Sequence, residues 1–311
     1  MHQAQQNKKP APQVVVVGSI NMDMVARSAR LPAPGETLLG EGFDMAPGGK
    51  GANQAVAAAR LGAPTAFVGR LGTRLHGDDL LAALAAEGID CSGVACDVQA
   101  LPGIAVIMVA STGGENSIVY VPGSNAELDA KDVQAAVDLL RGARVVVAQL
   151  EVPMPAIEAA FALAREAGVQ TVLNAAPALS LSDRLLALCD WLVLNEIELE
   201  ELSAGAASME SAAGVLLARG ARQVLVTLGA QGVLWCSPEG CRALPTRAVQ
   251  AVDTVGAGDT FVGGFAAGLA EGMPPEQAIG LGQEAAAIAV SRTGVQSAMP
   301  RRSEIGSLGG A

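Results

Sequence analysis

The sequence predicts an α/β fold: a doubly wound, mostly parallel sheet flanked by helices, with a small β-sheet lid. Three observations lead there. Val14-Val15-Val16-Val17 is a continuous β-branched run, the mark of a strand covered on both faces. Strand-like runs recur at 65–69, 144–150, 170–174, 191–194 and 223–227, with Ala-rich helical patterns between most of them, and that alternation builds βαβ units. Half of the 311 residues are hydrophobic and only 16% are charged, against about 25% in an average soluble domain. A chain of this length buries roughly 75% of its unfolded surface, so neither a disulfide nor a metal is needed to hold the core together.

Taken in order, residues 1–13 are polar, carry Lys8 and Lys9, and lack the apolar stretch of a secretory signal. They are expected to form a disordered tail. Residues 14–305 form one domain, and 306–311 fray. Two regions break the βα alternation, around 24–46 and 104–120; the second reads as a hairpin, Ile104 to Val109 and Asn116 to Tyr120 about a Ser-Thr-Gly-Gly turn. Strands inserted early in an α/β chain and not needed by its main sheet are candidates for a lid over the ligand crevice. The last third carries two long helices of small residues, roughly 258–271 and 275–291.

Charge narrows the partners. Thirty-one acidic side chains against 20 basic ones leave a net charge of −11, without the Lys/Arg stripe that binding a nucleic acid requires. No apolar run approaches the ~18 residues of a membrane span, so a soluble protein without nucleic-acid or membrane partners is expected. Five scattered cysteines fit a reducing compartment, the cytoplasm. Cys91/Cys96 and Cys236/Cys241 fall at a spacing that zinc sites use, but with no other ligand-type residues nearby they read as small buried hydrophobes. His2 and His76 are the only histidines, one in the tail and one opening a helix, which speaks against a histidine general base.

Four segments carry chemistry. Asp253-Thr254-Val255-Gly256-Ala257-Gly258-Asp259-Thr260-Phe261 precedes an apolar helix, and glycines at a helix start leave open backbone N–H groups able to hold an anion. Asp259 falls in the first turn, where the helix dipole stabilises a carboxylate; an acidic residue there is also ordinary helix grammar. Gly48-Gly49-Lys50-Gly51-Ala52-Asn53-Gln54 leads into a helix and offers donors suited to a polyhydroxylated ligand, or a plain loop with a solvated lysine. Asn21 and Asp23, after the first strand, and Gln149-Leu150-Glu151, after a later one, stand at strand carboxyl ends, where open α/β sheets bind ligands. Asx residues are also common turn-formers. Neither a Walker A loop nor a dinucleotide fingerprint is present, which argues against a dinucleotide-dependent oxidoreductase.

Jointly, the segments 48–55 and 253–261 resemble the two signatures of the PfkB carbohydrate-kinase family, and Lys50 favours its ribokinase branch over nucleoside and fructose kinases, in a loop that deoxyribokinases share. The likeness runs from about 14 to 300. It takes in 18–23, 31–37, 149–151, 174–178, 195–198 and 227–229, and it implies a ribokinase-like fold and ATP-dependent phosphorylation of the 5-hydroxyl of D-ribose. By that resemblance Asp259 is the base and the Gly256, Ala257 and Gly258 amides form the anion hole. The sugar is held by Asn21, Asp23, Gly49, Lys50, Gly51, Asn53, Glu151 and Asp259. The nucleotide is held by Asn195, Thr227, Gly229, Gly232, Gly258 and Gln283.

The resemblance further implies Mg²⁺ positioned through water by Glu198, although the glutamates of 195–201 equally suit a solvated helix face. It implies K⁺ near Asp253, Val255, Ala289, Arg292 and Gly294, with one departure: Ala298 stands where a serine oxygen is frequent, and Ser297 or a water would have to compensate. A homodimer clasped through the lid is implied as well. Alternatives are the same chemistry on 2-deoxyribose, fructose or adenosine, and a sugar-binding regulator without catalysis, which would be expected to have lost the base or the glycines.

Overall fold

A computed structural model describes residues 11–112 and 115–306. Most of the expected tail, two glycines of the expected hairpin turn and residues 307–311 lie outside them. Gln13, placed at the end of the tail, accepts the backbone N–H groups of Arg144 and Val145 and so begins the sheet.

The strands are β1 (Val14–Val17), β2 (Asn21–Ser28), β3 (Gly42–Gly48), β4 (Thr65–Gly72), β5 (Asp90–Asp97), β6 (Gly103–Ala110) and β7 (Asn116–Val121). They continue with β8 (Val145–Gln149), β9 (Gln170–Asn174), β10 (Trp191–Asn195), β11 (Val224–Thr227), β12 (Val233–Ser237) and β13 (Gly240–Leu244). Nine form one sheet in the order β13-β12-β11-β10-β9-β8-β1-β4-β5, parallel from β11 through to β5, with β12 and β13 antiparallel at one edge. The other four, in the order β3-β2-β6-β7, make a second sheet.

The valine run explains the layering. Val14 and Val16 pack with Phe67, Phe261, Phe265 and Ile279 on one face, and Val15 and Val17 with Leu140, Ile157 and Phe161 on the other, so alternate side chains of one strand feed two cores. Helices on both faces follow from that burial, as the α/β pattern predicts. The second sheet begins at Asn21, earlier than the expected 24, because β2 leaves the end of β1 after three residues.

One expectation is corrected. Cys236 and Cys241 face each other across β12 and β13 and form a disulfide instead of the buried thiols expected from their spacing. The antiparallel register of that short hairpin, invisible to a spacing argument, puts the two residues opposite one another. Cys189 is buried as a free thiol but Cys96 is exposed. The cysteine pattern therefore gives no support for a reducing compartment. Among the described residues no helix is long and apolar enough to cross a membrane.

Candidate active site

The carboxyl ends of β1, β8, β9, β10 and β11 share one edge of the parallel sheet, and every segment singled out as chemical converges there. Gly263 shows how the two signature helices, Lys50–Arg60 and Ala257–Ala270, come together: a Cβ on it would lie 2.5 Å from Ala57 Cβ and 2.6 Å from the Gln54 carbonyl. Only a residue without a side chain lets the helices approach so closely.

That approach sets Asp259 beside the front signature. Asn53 Nδ2 donates to Asp259 Oδ2 at 2.9 Å and Gln54 Nε2 donates to Asp259 Oδ1 at 3.0 Å. Asp259 is 7% exposed, and it faces a chamber of about 190 Å³ lined also by Lys50, Asn174, Asn195, Glu198, Gly256 and Gly258. Burial works against the Lys50 ammonium, but attraction from Asp259, Glu151 and Glu198 outweighs it, so Lys50 stays charged with a pKa above the ordinary lysine value.

Gly256 caps the helix with φ 75°, a left-handed conformation, and a Cβ there would lie 2.6 Å from Val295 Cγ1. The anion hole differs in one particular from the expectation. The Ala257 N–H donates to the Thr254 carbonyl at 3.3 Å, because the chain turns tightly before the helix, so this amide is engaged locally. Gly258 lines the chamber with no side chain in the way.

On the lid side, Asn21 and Asp23 are carried by β2 itself. Asn125, buried, donates to Asn21 Oδ1 at 2.7 Å, which turns the Asn21 amide so that its Nδ2 is the donor, facing the Tyr120 hydroxyl. A Cβ on Gly48 would fall 2.1 Å from the Asp23 carboxyl, so the glycine makes room for that carboxyl between the sheets. Burial, then the charges of Glu151 and Asp259, push the Asp23 carboxyl up to about 7. Glu151 Oε2 accepts from the Lys50 N–H at 3.0 Å and from Ser19 Oγ at 2.5 Å, pinning the Gly49–Gly51 turn to β1.

The adjoining cavity, about 290 Å³, shares Thr227 and Gly258 with the chamber. Gly229, Gly232 and Gln283 line it as expected, together with Val233, Val249, Ala251, Phe261, Ala286 and Val290. Asn195 lines the chamber instead. Its side chain accepts the Glu198 N–H and Glu198 Oε2 accepts the Asn195 N–H, each at 2.8 Å, so Glu198 is fixed at a helix start rather than waving on a solvated face. Burial raises the Glu198 pKa despite that hydrogen bond and nearby Lys50.

The residues suit the expected cations. Among the described residues no three His, Cys, Asp or Glu gather as a metal cluster. A divalent ion here would meet phosphate oxygens and waters held by the Glu198 carboxylate, an all-oxygen donor set that matches Mg²⁺. Asp253 accepts the N–H groups of Val255 at 3.0 Å and Gly294 at 3.1 Å, joining the two loops expected to surround a monovalent cation. The Arg292 guanidinium pairs with Glu304 and reaches the Ala298 carbonyl, while the Ala289 carbonyl accepts the Arg292 N–H at 3.0 Å and keeps one lone pair that a cation could use. Ser297 Oγ points to the Thr293 carbonyl at 3.4 Å.

Several residues of the site escaped the sequence reading of roles: Gln54, Asn174, Ser19, Asn125, and the apolar wall at 249–251. Gln54 and Asn174 lay inside segments already singled out, and their positions beside Asp259 emerge only once the helices meet.

Comparison with known proteins agrees with this geometry. The model of the pfkB family carbohydrate kinases matches residues 11–302. A ribokinase of Haemophilus influenzae is 43% identical over 94% of this chain and 96% of its own. A deoxyribokinase of Salmonella typhi is 34% identical over 92% and 95%. The structure of Arabidopsis thaliana ribokinase complexed with ribose and ATP superposes with a TM-score of 0.86 at 33% identity, covering 95% of this chain and 97% of that one.

Proposed function

Because the chain belongs to the pfkB family of carbohydrate kinases, we propose that it is a ribokinase, transferring the γ-phosphoryl group of ATP to the 5-hydroxyl of D-ribose. The observation that carries this reading is the place of Asp259. Its carboxylate, oriented by two amides, faces a chamber that adjoins the apolar cavity, and its charge reaches the Asp23 carboxyl of the lid.

Phosphoryl transfer asks a protein mainly for in-line positioning and for neutralisation of charge. Asp259 takes the proton from the attacking hydroxyl. Lys50 and the Gly256 and Gly258 amides stabilise the negative charge on the transferred group. Asn21, Asp23, Gly49, Gly51, Asn53 and Glu151 hold the sugar hydroxyls, while Thr227, Gly229, Gly232 and Gln283 shape the nucleotide cavity and Asn195 meets the phosphates. Mg²⁺, when bound, neutralises phosphate charge, with Glu198 holding it through water. Asp253 and the backbone oxygens of Val255, Ala289, Arg292 and Gly294 would hold K⁺ beside the anion hole.

The lid supports pairing of two copies. β3 and β7 are free edges of the small sheet among the described residues, and Phe43, Val106, Ile118, Val119 and Val121 are exposed on it. A cytoplasmic location rests on the need for ATP.

A pool of ribose, 2-deoxyribose, fructose and adenosine incubated with ATP, Mg²⁺ and K⁺, then resolved by phosphorylated product and carbon position, tests the reading. Ribose 5-phosphate as the dominant product is expected. A dominant 2-deoxyribose product would instead make the chain a deoxyribokinase, the reading favoured by the Salmonella relative. No phosphorylated sugar would defeat both.

A further inference from the structure

Behind Asp259 lies a run of buried amides that the phosphoryl transfer as described leaves without a role. Gln54 and Gln149 are both fully buried, and Asn174 nearly so. Asn174 Nδ2 donates to the Val193 carbonyl at 3.2 Å, which leaves its Oδ1 to accept Gln54 Nε2 at 3.0 Å. The same Gln54 Nε2 donates to Asp259 Oδ1 at 3.0 Å, and Gln54 Oε1 accepts Gln149 Nε2 at 2.6 Å.

The direction of every amide in this run is determined. Turning the Gln54 amide over would set its oxygen against the Asp259 carboxylate and the Asn174 carbonyl, and its NH₂ against that of Gln149. Gln149 is admitted by Gly18, where a Cβ would lie 2.2 Å from Gln149 Oε1. The second Asp259 oxygen is held separately: Asn53 Nδ2 donates to it at 2.9 Å, and Gln296 Nε2 donates to Asn53 Oδ1 at 3.0 Å.

We infer that Gln54 is a positioning residue for the catalytic carboxylate, with Gln149 fixing the orientation of its amide. The inference rests on the reading of Asp259 as the base. Two consecutive residues of one helix grip the two carboxylate oxygens, so the group cannot rotate and one lone pair stays aimed into the chamber. A base misplaced by about 1 Å loses on the order of 10²-fold in rate. Gln54 does this without touching the sugar.

Steady-state kinetics of the full chain with ribose and ATP test it, alongside ribose binding by calorimetry and thermal melting. Gln54→Met, similar in volume, is expected to lower kcat about 30- to 100-fold while KM for ribose and for ATP stays within about threefold. Gln149→Leu is expected to give a smaller loss, and Gln54→Met/Gln149→Leu no more than Gln54→Met alone, since Gln149 acts through Gln54. Gln54→Glu, isosteric and able to fold should the methionine variant not, is the sharpest. Protonated, it donates to Asp259 as the amide does; ionised, it repels it, so its kcat relative to the unaltered enzyme falls as pH rises.

A kcat within twofold of normal in Gln54→Met, a loss expressed only in KM, additive losses in the double variant, or a pH-independent ratio for Gln54→Glu overturns the role of Gln54 and leaves Asp259 as base intact. Absence of sugar phosphorylation by the unaltered chain instead removes the reading of Asp259, and the role of Gln54 with it.

Discussion

The two halves of the cleft are built from different materials. The lid side is a set of buried side-chain donors and acceptors, each oriented by another: Asn125 on Asn21, Gln54 and Asn53 on Asp259, Ser19 on Glu151. The other side is an apolar cavity shaped by Gly229, Gly232, Val249, Ala251 and Ala286, with Gln283 committed to the Leu244 carbonyl at 2.8 Å. A site that must reject near-identical sugars needs polar groups that become unpaired when one hydroxyl is missing, since an apolar wall discriminates by only about 1–3 kcal/mol per methylene. A site that receives one abundant cosubstrate can rely on shape.

The most severe way to break the contrast is at its junction. Asp259→Asn is expected to lower kcat about 10³-fold while ribose binding, read by calorimetry, changes little. Near-normal turnover would remove the base. Next, Asn21→Leu removes a donor proposed for the sugar, while the Asn125 amide keeps the Ile20 carbonyl and the Tyr120 hydroxyl as acceptors at 3.4 and 3.3 Å. We expect KM for ribose to rise about 10- to 100-fold, from the ~1.5–3 kcal/mol of an unpaired buried group, with KM for ATP unchanged. A parallel rise in both would show that the two halves are not separate in kind. On the apolar side, replacing ATP by GTP is expected to change kcat/KM by less than about tenfold; a larger loss would reveal base-specific donors.

The smallest expected effect sharpens the polar half. Asp23 has a folded pKa of about 7 against an ordinary 3.8. A raised carboxyl binds its proton more tightly in the folded state, so its contribution to stability is full below about 4 and is lost as pH rises through about 7. The melting temperature of the sugar-free chain should therefore decline between pH 4 and 8 more than that of Asp23→Asn. Parallel curves would mean that the Asp23 carboxyl is not held in this way.

The contrast also explains what was legible beforehand. Val14–Val17 announced a strand with two covered faces because burial on both sides is written in composition, and the signatures at 48–55 and 253–261 placed Lys50, Asn53 and Asp259 together. Gln54 and Gln149 gave no such signal: a glutamine in a helix start or at a strand end is ordinary, and its function exists only in the hydrogen bonds of the assembled core. The apolar wall of the adjoining cavity was equally mute, since Val249 and Ala251 lie in a loop without periodicity. The pairing of Cys236 with Cys241 depends on a hairpin register that spacing does not specify.

Gly263 sits one helical turn beyond Asp259, facing neither sugar nor nucleotide, yet the spacing between the signature helices is decided at that point. A single methyl added there would act as a wedge, prising Asn53 and Gln54 off the carboxylate they steer. If Asp259 is the base proposed above, the accuracy of proton removal depends on steric clearance inside the framework, and a defect that touches no ligand can masquerade as damage to the chemistry.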